Sequence, residues 1–250
     1  MAAPTHPAGS GRPPGGGAGG GWRARLTLSV PDLAWEFLRR NADYAAEYAR
    51  VATRPVQIDP RWGLRFGADP TVAAPEAEVI WRAEAAPGLV VPFEEDRSAV
   101  RTGRRSWHPC SAGRRADDGL HVRLPEGLQL QYRGRARADG PLLVVLGFDQ
   151  DFGLRVRAVE RLNRAVVGLA APPSHLTSAH RERLARCLTA LDGALTGETY
   201  RDIAQSIFGA VTVEREAWRT SSVRAATIRL VKAGIDMMSG GYLKSVRAGL

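Results

Sequence analysis

From Ser178 onward the apolar residues recur at three- and four-residue steps, and this periodicity constrains the chain more than any other feature. Leu184, Cys187, Leu188, Leu191 and Leu195 form one continuous stripe, which predicts a helix over 178–195 ended by Gly197. In that stripe Cys187 is read as a small core side chain, not a reactive thiol. A second helix is predicted from Thr199 to Phe208, with Tyr200, Ile203, Ala204, Ile207 and Phe208 facing inward and Gly209 supplying a sharp turn. A connection over Val211 to Arg219 leads to a third helix, Ser221 to Ala233, capped by Thr220 or Ser221 and stopped at Gly234. Its core face is Val223, Thr227, Leu230 and Val231, leaving Ser222, Arg224, Arg229 and Lys232 outside. Small Ala204 allows close helix packing, and a short helix followed by a turn and a longer helix suggests a helix-turn-helix.

The rest of the chain reads differently. Residues 1–21 hold eight glycines and four prolines, too little apolar surface to offset the entropy of ordering, and are expected to be disordered. Order is expected from near Val30. Asp32 is read as the N-cap of a helix over Leu33–Arg40, and a second helix begins at Asp43 with Tyr44, Tyr48 and Val51 on one face. Trp62, Leu64 and Phe66 alternate like a short strand. Residues 97–115 carry six arginines and no acid, the composition of a solvated loop. Three strands are predicted at Leu120–Leu124, Leu128–Arg133 and Leu142–Phe148, the first two joined across Pro125-Glu126-Gly127. A helix over Phe152–Leu169 follows, and Pro172-Pro173 marks a domain boundary. The expected fold is α+β and mainly helical. A disordered tail (1–29) precedes a small mixed region with a short antiparallel sheet (30–171), then a C-terminal helical domain (174–250).

Charge narrows the function. The net charge of +9 points to a polyanionic partner. Lys232 and Lys244 are the only lysines. Arginine suits phosphate and guanine, although an arginine bias also follows from a GC-rich genome. Leu142 to Phe148 is the longest apolar stretch, too short to span a bilayer, so nucleic acid is favoured over membrane. Neither cysteine belongs to a CxxC pair, and no secretory leader is recognisable, so a cytoplasmic location is expected. From Arg219 to Leu250 six basic residues face a single acid, Asp236. A recognition helix in the major groove needs this distribution, with arginines for guanine and hydroxyls for bases or phosphates.

Catalysis is not expected. His108-Pro109-Cys110 has no second ligand pair, and His175 and His180 are poorly spaced for one helical face. Asp149 and Asp151 read as turn-forming acids more readily than as an acid–base pair. No GxSxG, HExxH, P-loop or Rossmann motif occurs. No cofactor or metal is expected.

The segment LTALDGALTGETYRDIAQSIFG, with AWRTSSVRAATIRLVKAG and MMSGGYLKSVR, resembles the RovC-like DNA-binding domain of proteobacterial transcription factors. DLAWEFLRRN followed by Asp43-Tyr44 is similar to the transcriptional-regulator-like domain that often precedes it. The resemblance implies a DNA-binding regulator, of a kind found beside type VI secretion genes and on integrative and conjugative elements. It implies Thr199, Tyr200 and Arg201 on a positioning helix, and Arg219, Ser221, Ser222, Arg224 and Arg229 as recognition candidates. Tyr242 and Lys244, in a Gly240-Gly241-Tyr242 turn, would contact the DNA backbone, although Tyr200 and Tyr242 also fit a core and Tyr200 more so. The expected partner is double-stranded DNA, with other transcription regulators and further copies of the chain as additional partners. The alternative reading is a protein-interaction module, an antiactivator or co-regulator that grips another regulator.

Overall fold

The computed structural model describes residues 21–52, 57–74, 76–97, 113–125, 127–170, 176–215 and 217–249. Residues 1–20, Arg101, Arg104, Arg105, the His108-Pro109-Cys110 triplet, Pro172-Pro173 and His175 lie outside them. The fold is α+β. Eight helices are described: α1 (Val30–Leu38), α2 (Ala42–Val51), α3 (Phe152–Val166), α4 (Ser178–Leu195), α5 (Tyr200–Phe208), α6 (Ala210–Glu214), α7 (Ser222–Asp236) and α8 (Tyr242–Ala248). Five strands are β1 (Val90–Glu95), β2 (Gly113–Ala116), β3 (Gly119–Arg123), β4 (Gln129–Arg133) and β5 (Leu142–Val144).

The strands lie in the order β2-β3-β4-β1-β5. The sheet is mixed, not the antiparallel one expected. β1 inserts beside β4 in parallel, Val91 opposite Leu130, while the other neighbours are antiparallel. The strand at Val90 was missed because a buried inner strand is a continuous apolar run without alternation. The predicted strand at Trp62–Phe66 is instead a 3₁₀ turn, Pro60–Trp62, and a single bridge between Leu64 and Trp81. β4 is buried on both faces. Leu130 and Tyr132 enter the core under α3, while Gln129 accepts from the Trp81 N–H (2.9 Å) and donates to the Val79 carbonyl (3.0 Å). A glutamine can sit inside because its amide is satisfied.

Order begins earlier than Val30. Trp22–Thr27 forms a 3₁₀ helix, and buried Trp22 donates to the Ile207 carbonyl at 3.1 Å. α1 is capped by Ser29, whose hydroxyl accepts from the Asp32 N–H, so Asp32 lies in the first turn and is not the cap. It pairs there with Arg123 of β3 at 2.5 Å. Every residue of α1 is buried, because the helix lies between elements from both ends of the chain. Val30, Leu33, Trp35, Phe37 and Leu38 share one apolar cluster with Leu184, Leu188 and Leu191 of α4 and with Tyr242 and Val246 of α8. Charge fastens the same junction: Asp192 of α4 holds both Arg25 and Arg40.

Candidate nucleic-acid interface

α7 owes its position to a glycine. The helix runs through Gly234 to Asp236 and does not stop there, because Gly234 is a packing residue. A Cβ at this position would meet the Cys187 carbonyl at 2.7 Å and Leu191 Cβ at 3.0 Å. Its bareness lets α7 approach α4 closely, and Thr227 and Val231 are buried in the contact. Thr227 satisfies its hydroxyl by donating to the Val223 carbonyl one turn back, at 2.8 Å. Ser221 caps the helix, accepting from the Arg224 N–H at 3.1 Å.

Burial follows the face predicted from sequence, and Ser222, Arg224, Arg229 and Lys232 are exposed. Among the described residues no carboxylate pairs with any of the three cations, nor with Arg219, Arg201 or Lys244. No acid lies in the first turn of α7, so its unsatisfied N–H groups favour an anion. At about 100° per residue the exposed arc has Lys232 near its middle. Arg229 and Ser222 fall to one side, and Arg224 falls about 80° to the other. Arg224 and Lys232 are also separated by about 12 Å along the axis. The three cations therefore look in different directions.

Arg229 leans toward α4. It lines an open groove of about 440 Å³ with Arg183 and Arg186 of α4, over a floor including Phe208 and Leu230. Arg186 stacks on Trp22 at 4.4 Å and pairs with Glu182 at 3.1 Å. Sequence reading missed Arg183 and Arg186. Their signal was the i, i+3 spacing on the polar side of the 178–195 stripe, which places them on one face.

The segment before α7 is more elaborate than the connection expected. Gly209, at φ 89°, joins α5 directly to α6, and a 3₁₀ turn at Trp218–Thr220 carries exposed Arg219 into α7. Thr199 and Asp202 form a capping box at the start of α5, with the Thr199 hydroxyl 2.6 Å from the Asp202 carboxylate. Arg201 is exposed one residue into that helix.

Several of the candidate residues sit differently from the exposed α7 cations. Ser221 is buried and its hydroxyl is committed to the cap, so it fixes the helix start. Tyr242 is fully buried and donates to the Trp62 carbonyl at 3.0 Å, with burial pushing its phenol pKa up. It is a core residue, one of the two roles the sequence allowed it. Tyr200, expected inside, is 44% exposed. Gly240-Gly241 is no free turn either; with Met237 to Ser239 it forms a π-helical segment linking α7 to α8. Lys244 is exposed, but its neighbours are Arg61 and Arg247 around a pocket on the N-terminal region, not the α7 cations. Asp149 and Asp151 are each held by an arginine, Arg155 and Arg247. The bond from Arg155 lowers the Asp149 pKa.

Residues 145–247 match the family model described as "T6SS, Transcription factor, DNA binding domain", and residues 23–67 match the "Proteobacterial transcriptional regulator-like domain". Each match covers less than half of the chain, the two stand in the order read from the sequence, and together they support a transcriptional regulator. The DNA-binding match includes all of α3 to α7, and so the exposed cations of α7 and the groove beside it. The regulator-like match begins one residue after Trp22 and takes in α1 and α2, together with Arg25 and Arg40, the two arginines that Asp192 of α4 holds. No curated protein matches the chain. No described helix is long and apolar enough to cross a membrane.

Proposed function

We propose that the protein is a sequence-specific DNA-binding transcriptional regulator that inserts the N-terminal half of α7 into the major groove. The observation that carries this is a capped helix start with exposed Ser222 and Arg224, no carboxylate in its first turn, and further cations along the same exposed arc that pair with no carboxylate among the described residues. Bare guanidiniums held on a rigid helix are ready to meet guanine edges, and the helix start favours a phosphate. Arg224 is assigned to base reading, with Ser222 beside the helix start. Arg219, Arg229 and Lys232 are assigned to the backbone, joined by Arg183 across the groove and Arg201 on the preceding helix. Thr199 and Ser221 act as caps that hold these helices in place. The 30–171 region would then support the reading domain of 174–250, the junction at α4 transmitting any change between them.

A second reading, a protein-interaction module, gains support from the groove floored by Phe208 and Leu230. Its rim of arginines would suit an acidic regulator. One experiment separates the two. Genomic fragments recovered on the purified protein at moderate salt, with competitor present, should share a recurring motif. In Arg224→Ala that motif should lose information at one or two positions, at a cost of about 1–3 kcal/mol in discrimination. Recovery with no motif, while an acidic regulator co-purifies, would replace DNA reading with the second reading.

A further inference from the structure

The two edges of the sheet differ. The outer edge strand β2 carries Arg114 and Arg115, side chains that discourage another strand from docking. The other edge, β5, has no such guard. From Gly140 to Phe148 the sequence is GPLLVVLGF, without a charge. Leu143 is 47% exposed, Val145 39% and Phe148 90%. Phe148 stands against Phe152 at 5.0 Å, and Phe152 shares a face of α3 with Val156, itself 41% exposed. Among the described residues nothing pairs with the outer backbone of β5.

We propose that β5 is the pairing edge of a two-fold symmetric dimer of this chain, two β5 strands meeting antiparallel and extending each sheet into the other. The proposal does not depend on the DNA reading. Three observations select a second copy. An antiparallel strand pair is self-complementary in its hydrogen bonds, and a β5–β5 contact closes, whereas β5 on β2 would propagate. Two molecules each carrying +9 repel, and an uncharged strand is where they can approach. The charges flanking β5 are also compensated within each chain, as Arg137–Asp139 at 3.1 Å, Arg97–Glu95 at 3.3 Å and Arg155–Asp149. A polyanion finds no unpaired cation on the strand, and an acidic peptide finds no counter-charge. Phe148 supplies the exposed aromatic anchor such contacts use.

The test is the mass of the full chain in solution across a dilution series, by sedimentation equilibrium, for the parent, Val144→Lys and Phe148→Ser. The parent is expected at twice the chain mass, dissociating on dilution, and both variants at the monomer mass with unchanged circular dichroism. Cysteine placed singly at each position from Leu142 to Val145 provides a check that tolerates loss of fold in either variant. One position should cross-link two copies under mild oxidation well above the parent's background, because paired strands bring Cα atoms within disulfide reach. A monomeric parent at every concentration, or a dimer that survives Val144→Lys with no cross-linking position, overturns the proposal. A monomeric parent that instead captures another protein's strand would assign the edge to a different partner.

Discussion

Arg39 and Arg40 at the end of α1 are 5% and 8% exposed and both hold Glu36, while Arg224 and Arg229 of α7 are exposed and hold no carboxylate among the described residues. The side chain is the same and the setting is opposite. Arg40 is saturated: it donates to Glu36 at 2.6 Å and to Asp192 through two nitrogens, tying α1 to α4. Arg39 bonds Glu36 at 2.8 Å and the Pro70 carbonyl at 2.9 Å. These groups keep Glu36 ionised; burial opposes its charge, but the two arginines outweigh it and lower its pKa. A positive total therefore overstates the charge available to a partner. What α7 offers is what the described acids leave unpaired.

The largest effect expected follows from removing a saturated arginine. Arg40→Ala leaves Glu36 and Asp192 short of a partner at a buried junction and should cost about 3–5 kcal/mol, read from urea unfolding. Arg224→Ala should stay within about 0.5 kcal/mol of the parent in the same assay. Equal losses from the two substitutions would abolish the distinction. Next comes Gly234→Ala, which adds a methyl where only 2.7 Å separates it from the Cys187 carbonyl. Because backbone must yield, a loss of about 1–3 kcal/mol is expected. DNA affinity should fall with it, since α7 would be pushed away from α4. Unchanged stability would mean that α7 can move off α4 by the width of a methyl at no cost.

The sequence made the exposed side of this comparison far more legible than the buried side. Helical periodicity located α4, α5 and α7, and the outward placement of Ser222, Arg224, Arg229 and Lys232 followed from it, because a 3.6-residue repeat assigns faces without knowing the partner helix. What could not be read was which cations are consumed over long distances in the chain. The Arg40–Asp192 and Arg123–Asp32 pairs are tertiary facts with no local spacing to announce them. Tyr200 and Tyr242 exchanged places for a related reason. Both have apolar neighbours, but Tyr242 is stationed by its bond to Trp62, far off in the chain, while Tyr200 opens a short helix at the surface. Gly234 misled because a glycine at close helix contact looks the same as a helix stop.

A smaller effect separates the exposed cations from one another. Lys232 sits at the middle of the exposed arc, about 12 Å along α7 from Arg224. Lys232→Ala should weaken binding to all sequences alike and lower the slope of log affinity against log salt by about 1, with the recovered motif unchanged. Fluorescence anisotropy titrations at several salt concentrations measure both. A change of motif would move Lys232 into the reading set.

The smallest effect tests an arginine between the two extremes. Arg65 is buried, yet its partners Asp117 and Asp118 are substantially exposed. Burial raises the Asp118 pKa, but bonds from Arg65 and His121 (both at 2.8 Å) outweigh it and hold the carboxyl down to about 2, against an ordinary 3.8. The folded value lies below the unfolded one, so the contribution is complete above the unfolded pKa and is lost as pH falls from 3.8 through about 2. In Asp118→Asn the urea midpoint should therefore fall less steeply with pH over that window, while the parent and variant slopes agree near neutrality. Solvent at a carboxylate 40% exposed screens the pair, so the difference should be well below that for Arg40. Parallel acid limbs in the two proteins would place Arg65 with the α7 cations, as a charge the fold does not use. A steep difference comparable to the loss of Arg40 would place it with the junction, and would show that one buried partner suffices to make an arginine structural.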